Sequence, residues 1–200
     1  MKFRDLIMFV LLSATFTSPC YAGPFGFTYG ETRKQVIAEV GQSNVLKSDE
    51  YSIKVSTAPK SHPGFEAYLL LFSPTKGLLK IVAIGKNIET NNAGEQLQET
   101  FHKTESSLNE IYGTPKTLDY LHAGSIWNEP RDWMMGIVKK DRVLFSMWET
   151  GEKVRAEHIS AVILEVDALD SETGYLRLIY EFDGWEELSD QIKRERDKVF

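Results

Sequence analysis

Four histidines, His62, His102, His122 and His158, are the residues from which a metal site or a proton shuttle would have to be built. None stands in His-x3-His, His-x-His or His-Glu-x2-His spacing, which places two imidazoles on one element, so any zinc would have to be gathered from distant segments. Serine nucleophiles are raised on strained turns of the Gly-x-Ser-x-Gly kind, and this pattern does not occur. The nearest approach is His122-Ala123-Gly124-Ser125, with Asp119 and Glu129 close by in sequence. An envelope-acting hydrolase would use His122 as base and Ser125 as nucleophile, with an acid brought from elsewhere. The competing reading, a Gly-containing turn after a strand, is preferred, because triad members normally come from separate segments. Glu129, Asp132 and Glu149 are three acids among 29, and no spacing marks two of them as a glycosidase pair. No catalytic residue, metal or cofactor is assigned.

Aromatic residues point instead to binding. Trp127, Trp133 and Trp148 fall within one stretch, and the segment Trp127-Asn128-Glu129-Pro130-Arg131-Asp132-Trp133 carries a Trp at each end. Exposed Trp beside Arg can stack on a sugar or anchor a partner loop, so Trp127, Arg131 and Trp133 are the candidate binding residues. Core packing is the competing role, above all for Trp133 and Trp148, which open and close an expected hairpin. In that hairpin the neighbours Met134 and Met135 would face opposite sides.

The elements that must hold these residues follow from patterning. Thr32 and Gln35 form a Thr-x-x-Gln capping box, Val36, Ile37 and Val40 share a face, and Gly41 stops the helix. Strands are predicted at 51–55, 66–72 and 78–85, the last two joined through Ser73–Gly77. A second helix runs from about Glu95 to a Gly113/Pro115 stop, with Leu97, Phe101, Leu108, Ile111 and Tyr112 at helical spacing. Strands at 117–121, 133–138, 142–148, 158–168 and 175–182 come next, then a terminal helix from Glu186 with Leu188, Ile192 and Val199 inward. Like elements grouped in this way predict an α+β fold, antiparallel sheet packed against two short helices plus a C-terminal helix. Val36, Val40 and Gly41 align with Leu108, Tyr112 and Gly113 at a shift of 72, which raises a diverged tandem repeat of residues 23–90 and 91–200. Whether the halves share one sheet is left open.

Residues 1–22 read as a cleavable signal peptide: Lys2 and Arg4, an apolar stretch from Leu6 to Phe16, and small residues at Cys20 and Ala22. That stretch is shorter than the roughly 20 residues needed to span a bilayer, and Thr17 and Pro19 before Cys20 make a poor lipidation signal. Cleavage after Ala22 removes two bases and one acid, taking the net charge from −6 to −7, and no basic stripe remains to meet a phosphate backbone. Nucleic acid is therefore not expected as a partner. Cleavage also removes Cys20, the sole cysteine, so the core must hold without cross-links. The missing cystines and the absence of any Asn-x-Ser/Thr acceptor favour the bacterial periplasm.

Gly30-Glu31-Thr32 with Val36, Val40 and Gly41 resembles the Gly-x-Ser/Thr-x3-Val-x3-Leu-Gly helix motif of small exported modules, the outer-membrane-assembly lipoproteins and the β-lactamase-inhibitor protein. Leu108-x3-Tyr112-Gly113-Thr114-Pro115 resembles that motif's Gly-x-Pro ending, while Glu31 replaces a common Met and Ser43 a Pro. The resemblance implies a helix across a short antiparallel sheet and recognition of other proteins through the exposed sheet face, without catalysis. Taken together, the sequence leads to an exported, periplasmic, non-enzymatic binding or inhibitor-like protein whose partner is a protein or envelope polymer. The hydrolase and a small-ligand carrier, with an apolar pocket between sheet and helices, are the alternatives.

Overall fold

The computed structural model describes residues 23–149 and 157–197; the expected leader at 1–22 and Val199 lie outside them. Helix α1 (Arg33–Val40) begins where the capping box predicts: the Thr32 hydroxyl accepts from the Gln35 amide at 3.3 Å, and the Gln35 side chain accepts from the Thr32 amide at 2.9 Å. Strands β1 (Val45–Ser48), β2 (Ser52–Val55), β3 (Phe65–Ser73) and β4 (Gly77–Gly85) form an antiparallel meander, followed by the two-residue β5 (Ile88–Glu89). Helix α2 (Glu95–Tyr112) then opens a second run: β6 (Lys116–Leu121), α3 (Trp133–Val138), β7 (Arg142–Glu149), β8 (Ile159–Ala168), β9 (Thr173–Phe182) and α4 (Trp185–Asp197).

All the strands belong to one antiparallel sheet, ordered β1-β2-β3-β4-β9-β8-β7-β6, with β5 paired to β9 beside this path. The question left open by the sequence is thus answered by a single sheet. The α+β class and the C-terminal helix are as expected. Each half supplies a helix and a four-stranded meander, and the last strands of the two halves meet at the centre through Ile81↔Tyr180, Val82↔Ile179 and Ala83↔Leu178. The helices also end alike. Gly41 and Gly113 have φ of +86° and +84°, and their amides bond to the carbonyls of Ile37 and Asn109. The halves differ in residues 122–141, which stand between β6 and β7 where the first half has a tight turn between β1 and β2.

This insertion overturns one expectation. Residues 133–138 are helical, because the 3-10 turn Pro130–Asp132 brings the chain into 133 with helical dihedrals. Trp133, Met134, Gly136 and Ile137 are buried against β7 and β8, and an apolar run this short suits either period. Met135 is only half-buried, a difference produced by helical phase instead of strand alternation. The Lys139-Lys140-Asp141 corner therefore joins a helix to β7. Strand β1, on the sheet edge with three of four residues exposed, lacks the apolar alternation that would have marked it.

The main core lies on one face of the sheet. Ile53, Leu70, Ile81, Leu164, Leu178 and Trp148 meet Val36 and Val40 of α1, Leu97, Phe101 and Leu108 of α2, and Met134 and Ile137 of α3. Polar atoms at its α2 side are matched: the Trp148 indole donates to Asn109 Oδ1 at 3.1 Å and to the Gly113 carbonyl at 2.9 Å. The hydroxyls of Thr117 and Ser146 both donate to Glu105 Oε1.

Candidate functional site: the open face of the sheet

Paired residues on neighbouring strands point to the same side of a sheet, and successive residues alternate. Since the core claims one face, the pairing Leu69↔Val82↔Ile179↔Ile163↔Met147 lays five apolar side chains in one row on the other. Lys54, opposite Leu69, and Lys116, opposite Met147, close its two ends. At about 4.8 Å per strand, the apolar part spans roughly 19 Å. To one side run Leu71, Lys80, Glu181, Ala161 and Glu149; to the other run Ile84, Arg177, Glu165, Phe145 and Leu118. Tyr120 follows on β6.

Val82 and Ile179 are buried at the centre, Met147, Ile163 and Phe145 are half-buried, and Leu118 and Tyr120 are each 44% exposed at the β6 edge. Helix α4 crosses the β2–β4 end: the Trp185 ring lies 4.4 Å from Lys80 Nζ, Glu187 pairs with Lys76 at 2.7 Å, and the Tyr51 hydroxyl donates to Glu195. Glu195 raises the Tyr51 phenol to about 12. Helices α1, α2 and α3 bury Val36, Val40, Leu97, Phe101, Leu108, Met134 and Ile137 in the core on the far side.

The charges beside the row are paired. Lys80 meets Glu181 at 2.8 Å, and Arg177 lies 2.9 Å from Glu165 and 3.5 Å from Asp167. Lys140 reaches Asp167 at 2.5 Å, and the Tyr175 hydroxyl donates to Asp167 Oδ2 at 3.2 Å. Burial pushes the Glu165 carboxyl above its ordinary range, with Arg177 offsetting only part. Burial works the same way on Asp167, but the Lys140 hydrogen bond, the Ala168 amide and the charges of Lys140 and Arg177 outweigh it and hold that carboxyl low.

The residues chosen from sequence stand apart from this row. Trp133 is 6% exposed, with its ring beneath Gly94 and its indole nitrogen buried without a hydrogen-bond partner. Trp127 is half-buried, and its amide donates to Ser125 Oγ at 3.1 Å. Arg131 is exposed and lies 2.9 Å from Glu129. Trp127 and Arg131 are thus accessible on the insertion, whereas the Trp133 ring is enclosed. The Ser125 hydroxyl donates to Asp141 Oδ2 at 2.8 Å, and the His122 ring stands edge-on to Tyr120 at 5.2 Å, so these two side chains brace a loop.

A recess of about 180 Å³ lies between α2 and the β3–β4 strands, lined by His62, Phe65, Ile88, Thr100 and Leu176. A groove of about 350 Å³ is lined by Gly30, Arg33, Phe72 and Lys76, but its guanidinium is already engaged by Ser48 Oγ and the carbonyls of Asp49 and Glu50. Among the described residues no three His, Cys, Asp or Glu side chains cluster to hold a metal, and no helix is long and apolar enough to cross a membrane.

No family model, curated protein or solved structure matches this chain. The site is therefore defined by its geometry. Sequence reasoning passed over the row because its members come from five strands. The available signal was that Leu78-Leu79-Lys80-Ile81-Val82 and Val162-Ile163-Leu164 are apolar on both faces, unlike strands whose second face only meets water.

Proposed function

We propose that this is an exported, periplasmic binding protein that holds a partner protein against the open face of its sheet. The observation that carries the reading is the apolar row with Phe145, Leu118 and Tyr120 at its β6 end. Its accessible part runs from half-buried Ile163, Met147 and Phe145 out to Leu118 and Tyr120 beside paired charges, which is the anatomy of an interface, and Met and aromatic side chains are enriched at interface centres. The leader-like residues 1–22 support export, and the two helix motifs resemble those of exported modules that bind proteins. A rigid antiparallel sheet suits recognition, because a pre-organised surface loses little freedom on binding.

Site-specific photocrosslinking in producing cells tests this. Benzoylphenylalanine at Met147 is expected to give a defined protein adduct in the periplasmic fraction, lost on adding Phe145→Asp with the fold retained. The same group at Glu110, exposed on α2 across the sheet, is expected to give none. Equal adducts from both positions, or none from Met147, would overturn the assignment, and an amino terminus other than Gly23 on the mature protein would overturn the export step.

A further inference from the structure

The recess of about 180 Å³ beside α2 lies on the core side of the sheet, where Phe65, Ile88 and Leu176 pack against the core cluster and form its walls. Thr100 and Thr104 close it on the helix side, and their hydroxyls already donate to the carbonyls of Gln96 at 2.7 Å and of Thr100 at 2.8 Å. Among the described residues no carboxylate lines it. An apolar cavity of about 150 Å³ takes up benzene, so this one has room for a phenyl ring or a branched aliphatic group.

Two side chains in the lining can donate hydrogen bonds. His62 opens a turn closed by the Phe65 amide on the His62 carbonyl at 3.0 Å, and its ring lies 5.6 Å from that of Phe65. Its Nδ1 accepts from the Gly64 amide at 3.1 Å, so in the neutral ring the proton sits on Nε2. That Nε2 has no hydrogen-bond partner among the described residues. Lys86 follows β4 and is tied to the same turn, its amide donating to the Gly64 carbonyl at 3.0 Å. Lys76, Lys80, Lys103, Lys116 and Lys140 each meet a carboxylate, whereas Lys86 Nζ forms no ion pair among the described residues.

We infer that this recess binds a compact apolar carboxylate, its ring or branched chain between Phe65, Ile88 and Leu176 and its carboxylate on His62 Nε2 and Lys86 Nζ. Two donors match the two oxygens of a carboxylate, and hydrogen bonds to a charged acceptor are stronger than neutral ones. A fully hydrated anion such as phosphate is disfavoured, because the apolar walls offer nothing to replace its water. A neutral apolar molecule gains burial alone and leaves both donors to solvent. The same chemistry is presented by a free acid and by the last residue of a peptide that ends in an apolar side chain. The recess and the open face lie on opposite sides of the sheet, so occupancy here does not depend on partner docking there.

Titrations of the purified protein followed by amide chemical shifts test it. The probes are phenylacetate, neutral phenylacetamide and the tripeptide Gly-Gly-Phe with a free or an amidated end. Phenylacetate is expected to shift the amides of Thr100, Thr104 and Leu176 and to bind ~10-fold or more tightly than phenylacetamide. His62→Ala with Lys86→Ala, both exposed positions, is expected to reduce phenylacetate to the affinity of the amide. Thr100→Leu with Thr104→Phe, which fills the recess, is expected to abolish binding with thermal stability retained. Tighter binding of the free-ended tripeptide than of phenylacetate would identify a peptide terminus as the source of the carboxylate, and weaker binding a free acid. Equal affinity for phenylacetate and phenylacetamide, or indifference to the His62/Lys86 double variant, would overturn the carboxylate. No shift with phenylacetate at about 10 mM would overturn the site.

Discussion

Asp167 shows how a single carboxylate ties the open face to the fold. It receives Lys140 from the α3–β7 corner, the Tyr175 hydroxyl from β9 and its neighbouring Ala168 amide, and together these outweigh the burial that acts against its charge. A carboxyl held below its ordinary 3.8 contributes stability that is present above that pH and is lost as pH falls through the depressed value. Asp167→Asn is therefore expected to flatten the acid limb of the stability profile below about pH 4 and to lower stability at neutral pH, where the charged bonds are gone. Urea midpoints from pH 2.5 to 7 check this. An acid limb unchanged in the variant would show that Asp167 does not drive it. Glu165, two residues earlier and on the same face, is shifted the opposite way, so its neutral form is favoured on folding and its contribution declines as pH rises past the ordinary carboxylate range.

Helix α3 is held to the start of α2 by a close contact. Gly94, the residue before α2, has φ of +73°, and a Cβ there would stand 2.3 Å from the Trp133 ring. Gly94→Ala is expected to destabilise the protein by about 2 kcal/mol or more, since it adds backbone strain to a steric clash with a buried indole. Thermal unfolding measures it, and a loss below ~0.5 kcal/mol would mean that α3 moves aside freely. Neither partner of this contact could be paired from sequence. The capping box at Thr32, the Gly41 and Gly113 stops and the long β8–β9 hairpin were legible because local chemistry specifies them within a few residues. Trp133–Val138 was misread as a strand because six apolar residues carry no decisive period, and the Pro130 turn that sets its conformation lies outside the run. The open-face row was illegible for a related reason: it is defined by register between strands nearly a hundred residues apart, as with Val82 and Ile179.

At the scale of the molecule, the two meanders depend on one seam. Strands β4 and β9 are the inner edges of the halves, and Ile81, Val82, Ala83, Leu178, Ile179 and Tyr180 are all at least 91% buried where they meet. Separated at 90/91, each half would present that strand as an unpaired apolar edge, the arrangement sheets otherwise avoid. Each would also lose half of a core to which α1, α2 and strands from both halves contribute. Fragments 23–90 and 91–200 are accordingly expected to be unfolded or aggregated alone, and to recover a dispersed amide spectrum and a single cooperative melt when refolded together at equal concentration. If 23–90 alone gave a dispersed spectrum, the seam would be an accessory contact between two self-sufficient modules. The open-face row would then be assembled only when they dock, because Leu69 and Val82 come from one half and Ile179, Ile163 and Met147 from the other.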